Sequence, residues 1–177
     1  DLRASISGNT LSGTFYKNYA PEVSLPFSAT FGEDFRFVKN EEAQASPDYT
    51  GKYQLEFTPD KGDPYTSVGV FEQKGNHLTG TFLTPMGDYR YLEGNVVDGK
   101  LKLSTFDGNH AFVFVASLAG DSLKGDYYTG KSGHEVFSGI RNPDAKMPDP
   151  ESLTFLKEGY DRIDFTFPDL DGKPVKP

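Results

Sequence analysis

Val96–Arg141 reads VVDGKLKLSTFDGNHAFVFVASLAGDSLKGDYYTGKSGHEVFSGIR. Its short apolar runs are separated by VDGK (97–100), FDGN (106–109), LAGD (118–121) and TGKSG (129–133). Asp-Gly and Gly-Asn pairs supply the positive φ angles of primed hairpin turns, whose twist matches that of the flanking strands. Successive runs should therefore pair antiparallel. QKGN (73–76) and TPMGD (84–88) carry the pattern back to Thr66, which predicts an up-and-down meander of about seven strands over Thr66–Arg141. Upstream, LSGTFYKNY (11–19), SLPFSATF (24–31), DFRFV (34–38) and KYQLEF (52–57) add roughly three or four more of the same kind.

Alternation assigns faces. Tyr53, Leu55 and Phe57 point one way and Gln54 and Glu56 the other, as on a strand buried on one side. In HAFVFVASL (110–118) both Phe112 with Phe114 and Val113 with Val115 are apolar, which suggests a central strand covered on both faces. A sheet of this many strands with one wet face curls into a barrel or folds into a sandwich, because open edges invite aggregation. The expected fold class is all-β, an antiparallel up-and-down barrel or barrel-like sandwich.

One phrase recurs: LSGTF (11–15), LTGTF (78–82) and LKGDY (123–127). Gly13, Gly80 and Gly125 share a face with the leucine and aromatic residue two positions away. A glycine there allows close approach of a second element, with a neighbouring ring laid over its backbone. The repeat reads as a packing device, with ligand approach as the alternative.

Composition narrows the function classes. Fifteen Phe and ten Tyr with no Trp and two Met favour pleated, half-buried surfaces over helical bundles. A net charge of -8 argues against nucleic acid, whose binding draws on Lys and Arg at phosphates. No window is apolar enough for a membrane-spanning helix, and the opening residues DLRASISGN lack a signal-peptide layout, so any export signal or lipid anchor is expected to lie upstream of Asp1 or to have been removed. The absence of cysteine excludes disulfides, thiolate metal sites and thiol catalysis within these residues.

Past Asn142 the texture changes. The expected organisation is a β domain over 1–141, a connector over 142–164 and a tail over 165–177. The connector is expected to contain one short helix, with Asp149 as N-cap, Pro150 in the first turn, Glu151 and Glu158 within the helix, Leu153 and Leu156 docked on the barrel and Gly159 as stop. The tail, FTFPDLDGKPVKP, is too polar and proline-rich for a core.

Phe165–Val175, FTFPDLDGKPV, resembles the opening of thioredoxin-like domains of the peroxiredoxin and thiol-disulfide oxidoreductase superfamily, where a phrase of the form F-x-L-P-D-L-x-G-K-x-V precedes the first core strand. LTGTFLTPMGDYRYLEGNV (78–96), GIRNPDA (139–145) and SLTFLKEGYDRIDFTF (152–167) resemble the β-rich N-terminal region of bacterial extracytoplasmic proteins that end in such a domain. The resemblance implies a β region cut just before its redox domain, in the periplasm or cell envelope. Phe167, Pro168, Asp169, Gly172 and Val175 match only the structural lead-in, so no catalytic residue transfers.

Candidate chemistry is sparse. His77, His110 and His134 lie at turns or strand starts and could meet at one barrel end as metal ligands, but without ligand spacing they read as solvated turn histidines. His134-Glu135 lacks the second histidine of a zinc-protease motif. Ser132 sits in turn chemistry without a G-x-S-x-G elbow. Glu56, Glu72, Glu93 and Asp88 are strand carboxylates expected on a wet face. Asp169 and Asp171 before Gly172 imitate a calcium loop but read as a turn. The aromatic cluster Tyr89, Tyr91, Phe106, Phe112, Phe114, Tyr127 and Tyr128 alone has binding potential, against core packing as the favoured reading. A ligand site would use Tyr89, Tyr91, Phe112, Phe114 and Tyr127.

The chain is therefore expected to be a non-catalytic accessory module of an extracytoplasmic thiol-disulfide oxidoreductase, with no cofactor, whose partners are the C-terminal thioredoxin-like domain and a client protein. The alternatives are a barrel that binds a lipid or sugar and, third, a hydrolase. A tyrosine-lined cavity would favour the binder, and a filled interior the accessory module.

Overall fold

A computed structural model describes residues 1–17, 19–41, 45–149 and 154–176 of the chain. They form two compact units, Asp1–Met147 and Pro148–Pro177. The first holds a three-stranded sheet and a barrel.

The three-stranded sheet, in the order β1 (Leu2–Ser7), β2 (Thr10–Lys17), β3 (Ala20–Thr30), contains two of the predicted upstream runs and an N-terminal strand. These runs stand apart from the meander rather than extending it. The sheet meets the barrel where Phe15 packs edge-on to Phe106 at 5.5 Å and the Tyr19 hydroxyl lies 3.2 Å from His110 Nε2.

The barrel comprises β4 (Gly51–Pro59), β5 (Tyr65–Lys74), β6 (His77–Thr84), β8 (Leu92–Val97), β9 (Lys100–Phe106), β10 (Ala111–Ala119), β11 (Ser122–Thr129) and β12 (Gly133–Arg141), with β7 (Gly87–Asp88) a two-residue flap beside β6. Each strand pairs antiparallel with the next, and the predicted turns fall at the ladder ends. The last strand returns to the first, with Phe137 opposite Phe57 and Arg141 opposite Tyr53. That pairing abolishes both open edges and decides for barrel over sandwich. Tyr53, Leu55 and Phe57 point inward and are buried. In a closed barrel no strand is central, and on β10 Val113 and Val115 are half-buried on the outer wall while Phe114 is fully buried within.

Eight strands enclose a space that side chains can just fill. Phe57 stacks on Phe137 at 4.9 Å, and Phe114 stacks on Phe82 and Tyr127 at 4.6 Å each. Leu78, Leu92, Leu101, Leu103 and Leu123 complete a continuous core. Two of the repeated glycines serve this filling. A Cβ at Gly80 would lie 2.6 Å from the Phe71 ring and one at Gly125 2.6 Å from the Phe137 ring, and each phenylalanine is the cross-strand partner of its glycine. At Gly13 the nearest neighbours are instead Arg3 O and Ala4 on β1, with no ring among them.

The predicted strand at 34–38 does not form. Here side-chain amides take the backbone bonds that a ladder would have taken: Val38 N donates to Asn95 Oδ1 at 3.3 Å, and Asn76 Nδ2 donates to Lys39 O at 3.0 Å. The segment leads into a plug at one barrel end. Tyr49, fully buried, donates to Gly99 O at 2.9 Å, and its own N–H donates to Gln73 Oε1 at 2.9 Å. Gln73 Nε2 then donates to Ala45 O and Gly75 O at 2.9 and 3.0 Å. Buried amides thus satisfy one another and the chain across the end of the barrel.

In the second unit no helix occurs among the described residues. Residues 150–153 of the predicted helix lie outside them, while 154–157 have no regular structure and 158–159 form a turn. Phe155 and Leu156 are exposed, so the segment lacks the packed face that stabilises so short a helix. The tail folds as a hairpin of β13 (Phe167–Pro168) and β14 (Pro174–Val175). Asp169 Oδ1 accepts from Asp171 N at 2.9 Å and Lys173 N at 2.8 Å, the expected turn chemistry. No helix among the described residues is long and apolar enough to cross a membrane.

Candidate functional site

The plug closes one end of the barrel; the other end carries the tyrosines. Tyr65 begins β5, Tyr127 lies two residues before the end of β11 and Tyr89 follows the flap, so alternation and the adjoining turns bring three phenols to one rim. The Tyr89 and Tyr127 hydroxyls are 3.1 Å apart, and Tyr65 Oη donates to Glu135 Oε2 at 2.7 Å. Burial pushes the Tyr65 phenol well up, and the bond to Glu135 raises it further. Burial also raises Tyr127, with the Tyr89 hydroxyl adding to it, and raises Tyr89 itself. These phenols stay neutral donors.

Beside this layer opens a cleft of about 500 Å³, lined by Asp88, Tyr89, Arg90, Tyr91, Thr105, Phe106, Asp107 and Phe112. Of the five residues expected in a ligand site, Tyr89, Tyr91 and Phe112 line it. Phe114 and Tyr127 are buried behind, with the Tyr89 ring 5.2 Å from Phe114 and 5.4 Å from Tyr127. Tyr91 is 83% exposed and has a φ of 59°, uncommon for a bulky residue. Arg90 Nε reaches Asp88 Oδ1 and Oδ2 at 3.0 and 3.1 Å. Asp107 Oδ1 accepts from Asn109 N at 2.7 Å and His110 N at 2.6 Å, while Oδ2 lies 3.1 Å from His110 Nδ1. Burial pulls Asp107 upward, but these bonds outweigh it and hold the carboxyl below its ordinary value.

The histidines do not converge. His77 pairs with Glu93 at 2.9 Å beside the plugged end, and His110 with Asp107 at the rim. His134 lies between Asp126 at 2.9 Å and Asp60 at 3.4 Å. Among the described residues no group of three or more His, Asp or Glu could hold a metal ion. Ser132 is exposed in its turn, and both nitrogens of His134 face carboxylates rather than a hydroxyl. Glu72 pairs with Lys74, Glu93 with His77 and Asp88 with Arg90, while Glu56 is exposed on β4, so these carboxylates do not form one cleft.

Tyr65 was not singled out from the sequence, Glu135 entered only as part of an incomplete zinc-protease motif, and Asp107 was not singled out. The signal for the first two is legible: Tyr65 keeps step with Ser67, Gly69 and Phe71, and Glu135 with Phe137, so both fall on inward positions of their strands. Asp107 stands in the FDGN turn, where an Asx bond to the residue two positions on is expected.

No family model and no curated protein matches this chain. Solved structures with a similar course are designed β-barrels. A redesigned barrel, mFAP0, bound to DFHBI is 15% identical over 52% of this chain and 97% of that one, with a TM-score of 0.43. A de novo fluorescence-activating barrel is 10% identical over 53% of this chain and 94% of that one, at 0.40.

Proposed function

We propose that the chain is a non-catalytic β-barrel module placed ahead of a thioredoxin-like domain in an extracytoplasmic thiol-disulfide oxidoreductase, where it positions that domain or its client. The observation that carries this reading is the filled interior: aromatic and leucine side chains occupy the barrel axis, and Tyr49 plugs one end. Such a barrel acts through its outer surface. The tail supports the same reading, because the FTFPDLDGKPV phrase folds as a two-stranded hairpin with Phe167, Leu170 and Val175 exposed. The test is the coding sequence that follows Pro177, together with insulin disulfide reduction. Expected are a C-x-x-C or lone reactive cysteine in a thioredoxin-like domain, reduction by the joined protein, and none by the present chain. A reading frame that closes at Pro177, or enters a fold of another class, overturns the proposal.

A second reading, a small-molecule binding barrel, is favoured by the aromatic cleft of about 500 Å³ at the unplugged rim. On that reading the ligand lies at the mouth, against Tyr89, Tyr91 and Phe112, rather than inside the barrel.

A further inference from the structure

We propose that the rim cleft takes a small organic cation, a quaternary ammonium, held by the ring faces of Tyr89, Tyr91, Phe106 and Phe112 and by the carboxylate of Asp107. This names the ligand class for the rim-binding reading and rests on it.

Half of the residues lining the cleft are aromatic, and the negative face of each ring attracts a cation placed over it. The charged residues tilt the same way. Arg90 and Asp88 pair with each other, Arg90 Nε on both carboxylate oxygens, which leaves Asp107 as the surplus charge of the lining. Asp107 is a fixed anion whose position is set by two backbone N–H groups and the His110 ring. The whole chain, at -8, adds a field of the same sign.

Hydrogen-bonding capacity separates a cation from a neutral sugar. The Tyr89 hydroxyl is engaged by Tyr127, Thr105 Oγ1 donates to Arg90 O at 3.4 Å, and both oxygens of Asp107 accept bonds from its own turn. A sugar needs several directed donors and acceptors, and the lining leaves the Tyr91 hydroxyl and the Arg90 Nη groups to supply them. A quaternary ammonium group has no N–H to satisfy and is held by charge and ring faces alone.

Tyr91 supplies an independent indication. Its left-handed backbone costs free energy, yet it carries a large ring into water directly before Leu92, which is buried in the core. Glycine or asparagine would hold that turn with less strain. A ring kept there at such a cost suits a wall for a ligand.

The experiment is amide-resonance mapping on the intact chain, well above the histidine titration range. Choline is titrated in parallel with its neutral dimethylbutanol isostere and a methyl glucoside. Choline should give saturable shifts at 88–91 and 105–112, with the isostere about tenfold weaker or worse. Tyr91→Ala and Asp107→Asn should each weaken choline several-fold, and Tyr91→Ala, altering an exposed ring, should leave the melting temperature near its original value. Equal affinity for the isostere, or preference for the glucoside, overturns the cation and leaves the rim site standing. No saturable shift with any of the three overturns both.

Discussion

Tyr53, whose phenol burial pushes up to about 12, shows what the interior does to a titratable group. Tyr49, Tyr65, Tyr89 and Tyr127 are raised as well, burial being the main cause in each. A group whose pKa is higher folded than unfolded contributes stability that is complete below the unfolded value and is lost as pH rises toward the folded one. Unfolded phenols ionise near pH 10, so stability should decline from there upward. Tyrosinate absorbance should show these five phenols titrating together with loss of far-ultraviolet strand signal. If all ten tyrosines titrate smoothly near pH 10 with the barrel intact, the five are not held neutral. His134 follows the same sign. Its bond to Asp126 raises its pKa against some desolvation, with Asp60 adding to the rise. The protonated ring therefore stabilises the fold below about pH 6.5, and this contribution disappears as pH rises through the elevated value. In His134→Gln the rise in denaturation midpoint on acidification through this range should be smaller, and imidazole resonances should place His134 as titrating above the ordinary histidine value.

Among the elements, the glycine-bearing strands are the most sensitive to a single methyl. Gly125 faces Phe137 so closely that an added Cβ would sit 2.6 Å from its ring, with the Ala116 side chain at 2.7 Å on the other side. Gly125→Ala should lower stability by about 1–3 kcal/mol through overpacking, read as a shift in urea midpoint at unchanged slope. Gly130, at a turn with φ 59° and open space around it, serves as the contrast: there the cost of alanine is backbone conformation alone, about 1 kcal/mol. At this scale the sequence was largely legible. Asp-Gly and Gly-Asn turns and a period of two are short-range signals, and every predicted turn from 73 to 133 lies at a strand end. The failures occurred where local signals compete with distant partners. DFRFV has the composition of a strand, but Asn95 binds the backbone of its last residue, Val38, and Asn76 that of the next, Lys39, which leads the chain into the plug. The segment after Asp149 has helix punctuation, but among its described residues Phe155 and Leu156 are exposed and no helix forms.

For the whole molecule, every ladder of the barrel closes within 51–141. A chain ended at Met147, the boundary of the first compact unit, should therefore keep its fold and melt within about 2 °C of the complete chain. Loss of cooperative melting on this truncation would show that the tail is integral to the barrel.

The sequence by itself determined an antiparallel meander, its turns and the inward or outward direction of most side chains, because each depends on a few consecutive residues. It also placed Tyr89, Tyr91 and Phe112 in the candidate site. Only the tertiary structure decided that the meander closes by pairing β12 with β4, that Tyr49 and three buried amides plug one end, and that Tyr65 meets Glu135 across seventy residues. Closure depends on twist and register accumulated over eight strands, and the meeting of distant side chains depends on closure; no short window of residues contains either.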